Sequence, residues 1–347
     1  MAEGSKKSPV KLENVSFSAE DGWPLKGTLF WPWAQMKPAA STTTPRGVLI
    51  SSATGVGRSF YSRFASFVAQ ETGWPVLMYD YRGNEGVLPE AKRKKLPEHP
   101  LVDVNADMSD WALLDQPAAL SYLLAYLRDS AVEEETAVSG AVLKPEVVIV
   151  AHSVGGHIAP LLPPHLAAAV PRVLFISVNS AYYRHHQVKS QLATYAYLKV
   201  ALPILISMHG YAPTQKLGLM FGELPSGVME QWLRWVGHPD YCFSERELRT
   251  VGEAWRGNVL GISFADDEIA KPSAFPGFTD LLKSARVVNL HLKPSDVGLD
   301  GKVGHVGFFF SRAKEALWRP ALEFIKKGRV PSSLQQRSAV PLQASRL

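Results

Sequence analysis

Three kinds of residue occur in an order that could carry out covalent chemistry. Ser153 stands in Ala151-His152-Ser153-Val154-Gly155-Gly156, Asp266-Asp267 follow a later apolar run, and His305 comes last, in Gly304-His305-Val306-Gly307. A serine hydroxyl is a weak nucleophile until a base takes its proton, and the base needs an acid to orient it and stabilise its charge. The spacing small-x-Ser-x-Gly belongs to a strand-to-helix turn so tight that bulky flanks do not fit, with the serine at its tip. Taken alone, 146–157 reads equally well as a strand ending in a serine-capped helix. The chain order Ser, Asp, His favours the nucleophile.

Within this set the acid is open between two neighbours. The Asp-x-Ile spacing favours Asp267 and leaves Asp266 to cap the turn. His152 and His157 are too near Ser153 to be its base, and His152 is expected to pack beneath the turn. An oxyanion needs backbone donors, one after the nucleophile at Val154 and one from the loop after the third strand, Ala53-Thr54-Gly55-Val56-Gly57. Thr54 is the first choice, with Gly55 beside it. Arg58 either meets an acidic group on a substrate or lies in solvent.

The elements that must position these residues follow from periodicity. Val15 to Trp31 alternates about Asp21-Gly22 and predicts a hairpin. Buried strands are predicted at Gly47–Ser51, Trp74–Tyr79, Glu146–Val150, Val173–Val178, Val259–Phe264 and Val287–Leu292. Helices are predicted at Ser59–Glu71, Met108–Leu127 with a joint at Asp115-Gln116-Pro117, and Ala313–Lys326. Polar loops are read at 34–45, 84–104 and 133–144. Strands alternating with helices imply an α/β fold: a mostly parallel sheet, helices on both faces and the hairpin as antiparallel edge. The segment 181–254 breaks the alternation and reads as an aromatic-rich helical cap. The organisation is then a tail at 1–12, a core at 13–180 and 255–328 interrupted by the cap, and a tail at 329–347.

With 46% hydrophobic and 20% charged residues the chain has material for a substantial core. The apolar run Val200–Met208 is short of the ~20 residues a membrane span needs. No secretory signal is read in the first residues, so an intracellular protein is expected. The single cysteine, Cys242, rules out an internal disulfide and argues against a cysteine metal site; no metal or cofactor is expected. A net charge of +5 could suggest nucleic acid, but the cations are scattered apart from Lys92-Arg93-Lys94-Lys95, so no nucleic-acid partner is expected.

The segments ATGVGRSFYSRFA, VLMYDYRG, DWALLDQPAAL, AHSVGGH, RWVGHP, SFADDEIAKP and VGHVGFF, in that order, resemble the α/β-hydrolases of the serine aminopeptidase and monoacylglycerol lipase-like branch, from Val15 to Lys326. The resemblance implies an α/β-hydrolase fold and a triad of Ser153, Asp267 and His305. Two departures are Ala151 in place of the first glycine of the turn and the absence of His-Gly after the third strand. On this reading the protein is a serine hydrolase cleaving a carboxylic ester or thioester, its partner a small-molecule substrate with an apolar acyl group. The alternatives are a non-catalytic binding or scaffold protein and a serine aminopeptidase.

Ser345-Arg346-Leu347 resemble a peroxisomal address of the Ser-Lys-Leu type, with an import receptor as partner. Deleting these three residues is expected to leave a fluorescent fusion in the cytosol while the full chain enters peroxisomes. Equal distribution of the two, by microscopy, would remove the address.

Overall fold

The computed structural model describes residues 10–32, 44–83, 99–102, 104–135, 144–185, 197–218 and 222–338. Most of the loops expected at 34–45 and 84–104, and the tripeptide Ser345-Arg346-Leu347, lie outside the described residues.

Among the described residues ten strands form: β1 (Val10–Ser18), β2 (Pro24–Pro32), β3 (Arg46–Ser51), β4 (Val76–Tyr79), β5 (Glu146–His152), β6 (Arg172–Ile176), β7 (Tyr211–Ala212), β8 (Leu224–Pro225), β9 (Asn258–Phe264) and β10 (Arg286–Leu292). Eight of them make one sheet in the order β1-β2-β4-β3-β5-β6-β9-β10. The β1–β2 hairpin is antiparallel and meets β4 antiparallel, whereas the pairs from β4 to β10 are parallel. This is the mostly parallel sheet with a hairpin edge that the alternation of elements implies. Ser51 stands opposite Ala151, and His152 opposite Ile176, so the carboxyl ends of β3, β5 and β6 finish level and their loops converge.

Alternation along each strand divides the core in two. Leu49, Ile149 and Phe175 face one layer, packed with Leu120, Leu123 and Leu127 of the helix Gln116–Glu135. Val48, Val150 and Leu174 face the other, with Phe64 and Val68 of the helix Ser62–Thr72 and Phe324 and Ile325 of the helix Arg319–Lys327. Strands buried on both faces read as continuous apolar runs, which is why they were visible in the sequence.

Some elements differ from the sequence reading. Residues 10–12, expected in the tail, belong to β1. The joint expected at Asp115-Gln116-Pro117 is a π-turn, Trp111–Asp115, running into the helix; its wider loop accommodates Pro117, which cannot donate to the helical ladder. Residues 329–338, expected to open the tail, are packed. Leu334 is buried, and Ser338 Oγ accepts from His291 N–H at 3.0 Å on β10. The segment expected as a cap is mostly helical, with Leu202–His209, Ser226–Val236 and Arg246–Ala254, but β7 and β8 pair within it. Tyr211, Trp235, Tyr241 and Phe243 are buried in the same layer as Leu49, so these aromatics serve as core.

The end of β4 is fixed by a buried cation. Arg82 donates from Nε to Asp115 at 2.8 Å and from Nη1 and Nη2 to Asp21 at 2.6 and 3.1 Å, and its backbone N–H meets Asp115 at 2.7 Å. Hairpin turn, sheet and long helix are joined there. Burial pushes the Asp115 carboxyl up to about 7, and Arg82 opposes that rise. Removing one partner of a buried pair strands the other charge. Arg82→Ala is therefore expected to cost about 3–5 kcal/mol, read from the urea unfolding midpoint.

Candidate active site

Ser153 ends β5 with φ 53° and ψ −118°, a conformation in which a non-glycine residue is strained. Its N–H donates to Ile176 O at 3.0 Å, and Gly156 N–H returns to Ser153 O at 2.9 Å, closing the turn into the short helix Val154–Ile158. Gly155 lies against β3 backbone to backbone; a Cβ there would collide with the carbonyl oxygen of Ser51. Ala151, by contrast, is ordinary strand with its methyl in the core, so glycine is not required at that position.

Asp267 and Asp266 take different parts. Asp267 is fully buried and lies 2.9 Å through Oδ2 and 3.2 Å through Oδ1 from His305 Nδ1. Its Oδ1 also accepts from Ile269 and Ala270 N–H at 2.9 and 2.8 Å. Burial opposes its charge, but the His305 ring, the Ala270 N–H and the nearby Ser177 hydroxyl outweigh it and hold the pKa below the usual carboxylate value. Ser177 Oγ is buried near this carboxylate and has no hydrogen-bond partner among the described residues. Asp266 instead accepts from Val303 N–H at 2.7 Å and Gly304 N–H at 3.1 Å, and so anchors the loop that carries His305.

That loop is pinned further along. Phe308 and Phe309 pack edge-on against Phe64 with ring centroids 5.5 Å away, and Phe309 reaches Tyr61 at 4.8 Å. Carboxylate and aromatic contacts thus hold both sides of the glycine-flanked His305. The His305 ring lies 5.1 Å from that of His152, the neighbour of Ser153. With Nδ1 on Asp267, the proton-accepting nitrogen of a neutral His305 is Nε2. Ser153 Oγ has no hydrogen-bond partner among the described residues; such contacts commonly tighten only with substrate.

Among the described residues, the backbone N–H groups of Val154, Thr54 and Gly55 have no hydrogen-bond partner, whereas that of Ala53 is taken by Tyr61 Oη at 2.8 Å. Gly55, at φ 70°, approaches Gly222 so closely that a Cβ on either would strike the other's backbone. Beside Gly55 is a small cleft lined by Tyr81, Gly83, Trp111, Glu223 and Leu224. Tyr81 and Trp111 stack there at 4.8 Å. Arg58 does not face it as a free cation. It pairs with Asp80, and its Nε donates to Thr28 at 3.1 Å. Two contributors escaped the sequence reading: Tyr61, hidden in a helical pattern, and Ser177, whose φ of 52° at the end of β6 has no sequence signature.

No family model matches the chain, and no curated protein matches it in sequence. Among solved structures it is similar to the peroxisomal alpha-beta-hydrolase Lpx1 from Saccharomyces cerevisiae, at 13% identity and a TM-score of 0.51, over 95% of this chain and 93% of that one. It is also similar to DcsB, solved in complex with its substrate analogue, at 12% identity and a TM-score of 0.53, over 91% of this chain and 99% of that one. Likeness at these identities speaks for the fold.

Two buried imidazoles flank the serine. Burial takes His152 down to about 3 and His157 to about 4, so both are neutral in the folded chain. Unfolded, each binds a proton below about pH 6.5, which makes stability fall as pH drops from there towards the folded values. The expected slope is up to about 1.4 kcal/mol per pH unit for each ring. Urea unfolding between pH 7 and 4 checks this: His157→Gln should flatten the profile by one ring's share, and an unchanged slope would contradict the assignment.

Proposed function

From the α/β-hydrolase fold and the groups gathered at the ends of β5, β9 and β10, we propose that the protein is a serine hydrolase acting through Ser153, His305 and Asp267. The observation that carries the reading is the 2.9 Å contact of His305 Nδ1 with buried Asp267, in the loop beside a serine held at positive φ. A non-catalytic scaffold needs neither the strained turn nor the pair.

In the proposed reaction His305 Nε2 takes the proton of Ser153 Oγ as Oγ bonds to the carbonyl carbon of an ester or thioester. Val154 N–H, with Thr54 or Gly55 N–H, stabilises the negative oxygen. Collapse breaks the C–O or C–S bond, and the leaving group departs with the proton from His305. Water then attacks the acyl-enzyme as Nε2 takes one of its protons; the bond from the acyl carbon to Ser153 Oγ breaks, His305 returns that proton to Oγ, and the acid is released. Asp267 remains ionised and stabilises the imidazolium in both halves.

The stacked rings of Tyr81 and Trp111, in the lining of the cleft beside Gly55, suit an apolar acyl group. Glu223 in the same lining supports a second reading, an aminopeptidase in which its carboxylate meets a substrate ammonium. Amino-acid p-nitroanilides separate the two.

A fluorophosphonate probe is expected to label the wild type and not Ser153→Ala. Wild type is expected to turn over p-nitrophenyl butyrate, and His305→Ala should lower kcat by roughly 10⁴-fold or more. Equal labelling of wild type and Ser153→Ala would overturn the proposal.

A further inference from the structure

Tyr61 and His152 are fully buried between the donor loop and the base, and the proposed reaction uses neither. His152 Nε2 lies 2.8 Å from the backbone oxygen of His305. A carbonyl only accepts, so this nitrogen carries a proton. The burial that keeps the ring neutral makes Nδ1 an acceptor, and its donor is the Tyr61 hydroxyl at 2.9 Å. The Tyr61 oxygen accepts in turn from Ala53 N–H at 2.8 Å. The direction of every bond is thereby fixed, from Ala53 through Tyr61 and His152 to the peptide of His305. This chain starts in the loop after β3, passes through the neighbour of Ser153, and ends in the loop after β10.

Resting on the hydrolase reading above, we propose that Tyr61 and His152 are positioning residues that hold the donor loop and the His305 loop in one register across the serine turn. By occupying Ala53 N–H, they also leave Thr54 or Gly55 N–H as the second oxyanion donor. The aromatic contacts of Tyr61 with Phe309 at 4.8 Å and Phe60 at 5.2 Å keep its ring in place independently of its hydroxyl. Tyr61→Phe therefore deletes the two hydrogen bonds and little packing.

With p-nitrophenyl butyrate as substrate, Tyr61→Phe is expected to lower kcat, and the rate of fluorophosphonate labelling, roughly tenfold to a hundredfold, the scale of lost partners for buried polar groups. KM should stay within about twofold, because the lost contacts act on the reacting geometry. His152→Gln, whose amide can still donate to His305 O, should retain more activity than His152→Leu. Wild-type kcat in folded Tyr61→Phe, a change in KM alone, or equal loss in the two His152 variants would overturn the proposal. A second measurement needs no variant to be active. In wild type labelled with ¹⁵N-histidine, His152 should be the neutral tautomer protonated at Nε2 at pH 7, and an Nδ1-protonated or charged ring would overturn it. A wild type that labels with no probe defeats the hydrolase reading instead, and the tautomer still decides whether the chain exists.

Discussion

The arrangement depends on two backbones touching. Where Gly155 lies against Ser51, the absence of a side chain lets the serine turn settle onto the end of β3. A non-glycine residue at positive φ costs of order 1–3 kcal/mol and persists only where its surroundings over-determine it. The bonds of Ser153 to Ile176 and Gly156, together with this close approach, supply that determination. Because β3, β5 and β6 end level, the same approach brings the loop after β3 beside the serine, and with it unpaired backbone donors. Without it the sheet could still form, but the groups would not meet.

The second organising fact is that neighbouring carboxylates do unlike things. Asp267 turns inward to the imidazole, while Asp266 grips two backbone N–H groups of the loop that presents that imidazole. One strand end thus fixes both the ring and the chain behind it. Phe308 and Phe309 complete the hold from the other side, joining the loop to the helix Ser62–Thr72 through aromatic contacts. Such pairs contribute ~0.5–1.5 kcal/mol each beyond buried area, enough to restrain a glycine-flanked segment.

Much of this was legible in the sequence, and the reasons are local. Doubly buried strands announce themselves as apolar runs, and strand-helix alternation dictated the sheet. The order of Ser153, Asp266-Asp267 and His305 along strand ends was sufficient to name the groups. It could not separate the two aspartates decisively, because their roles depend on which side of the turn each carboxylate leaves, a matter of three-dimensional direction. Tyr61 was invisible for a similar reason: its hydroxyl matters through a histidine 91 positions later. Residues 329–338 looked like tail because the residues that bind them down, among them Val330, Leu334 and Ser338, make no periodic signal. The aromatics of the cap were noticeable but ambiguous, since core and ligand contact favour the same side chains.

The contact between Gly55 and Gly222 makes the donor loop stiff. Gly55 cannot recoil from an incoming carbonyl without displacing the chain that leads into β8, and that chain is seated against Thr214, whose hydroxyl donates to Gly222 O at 2.6 Å. The peptide of Gly55 is consequently held by backbone contact. In the proposed reaction, donors held in this way need no reorientation as charge builds up on the carbonyl oxygen.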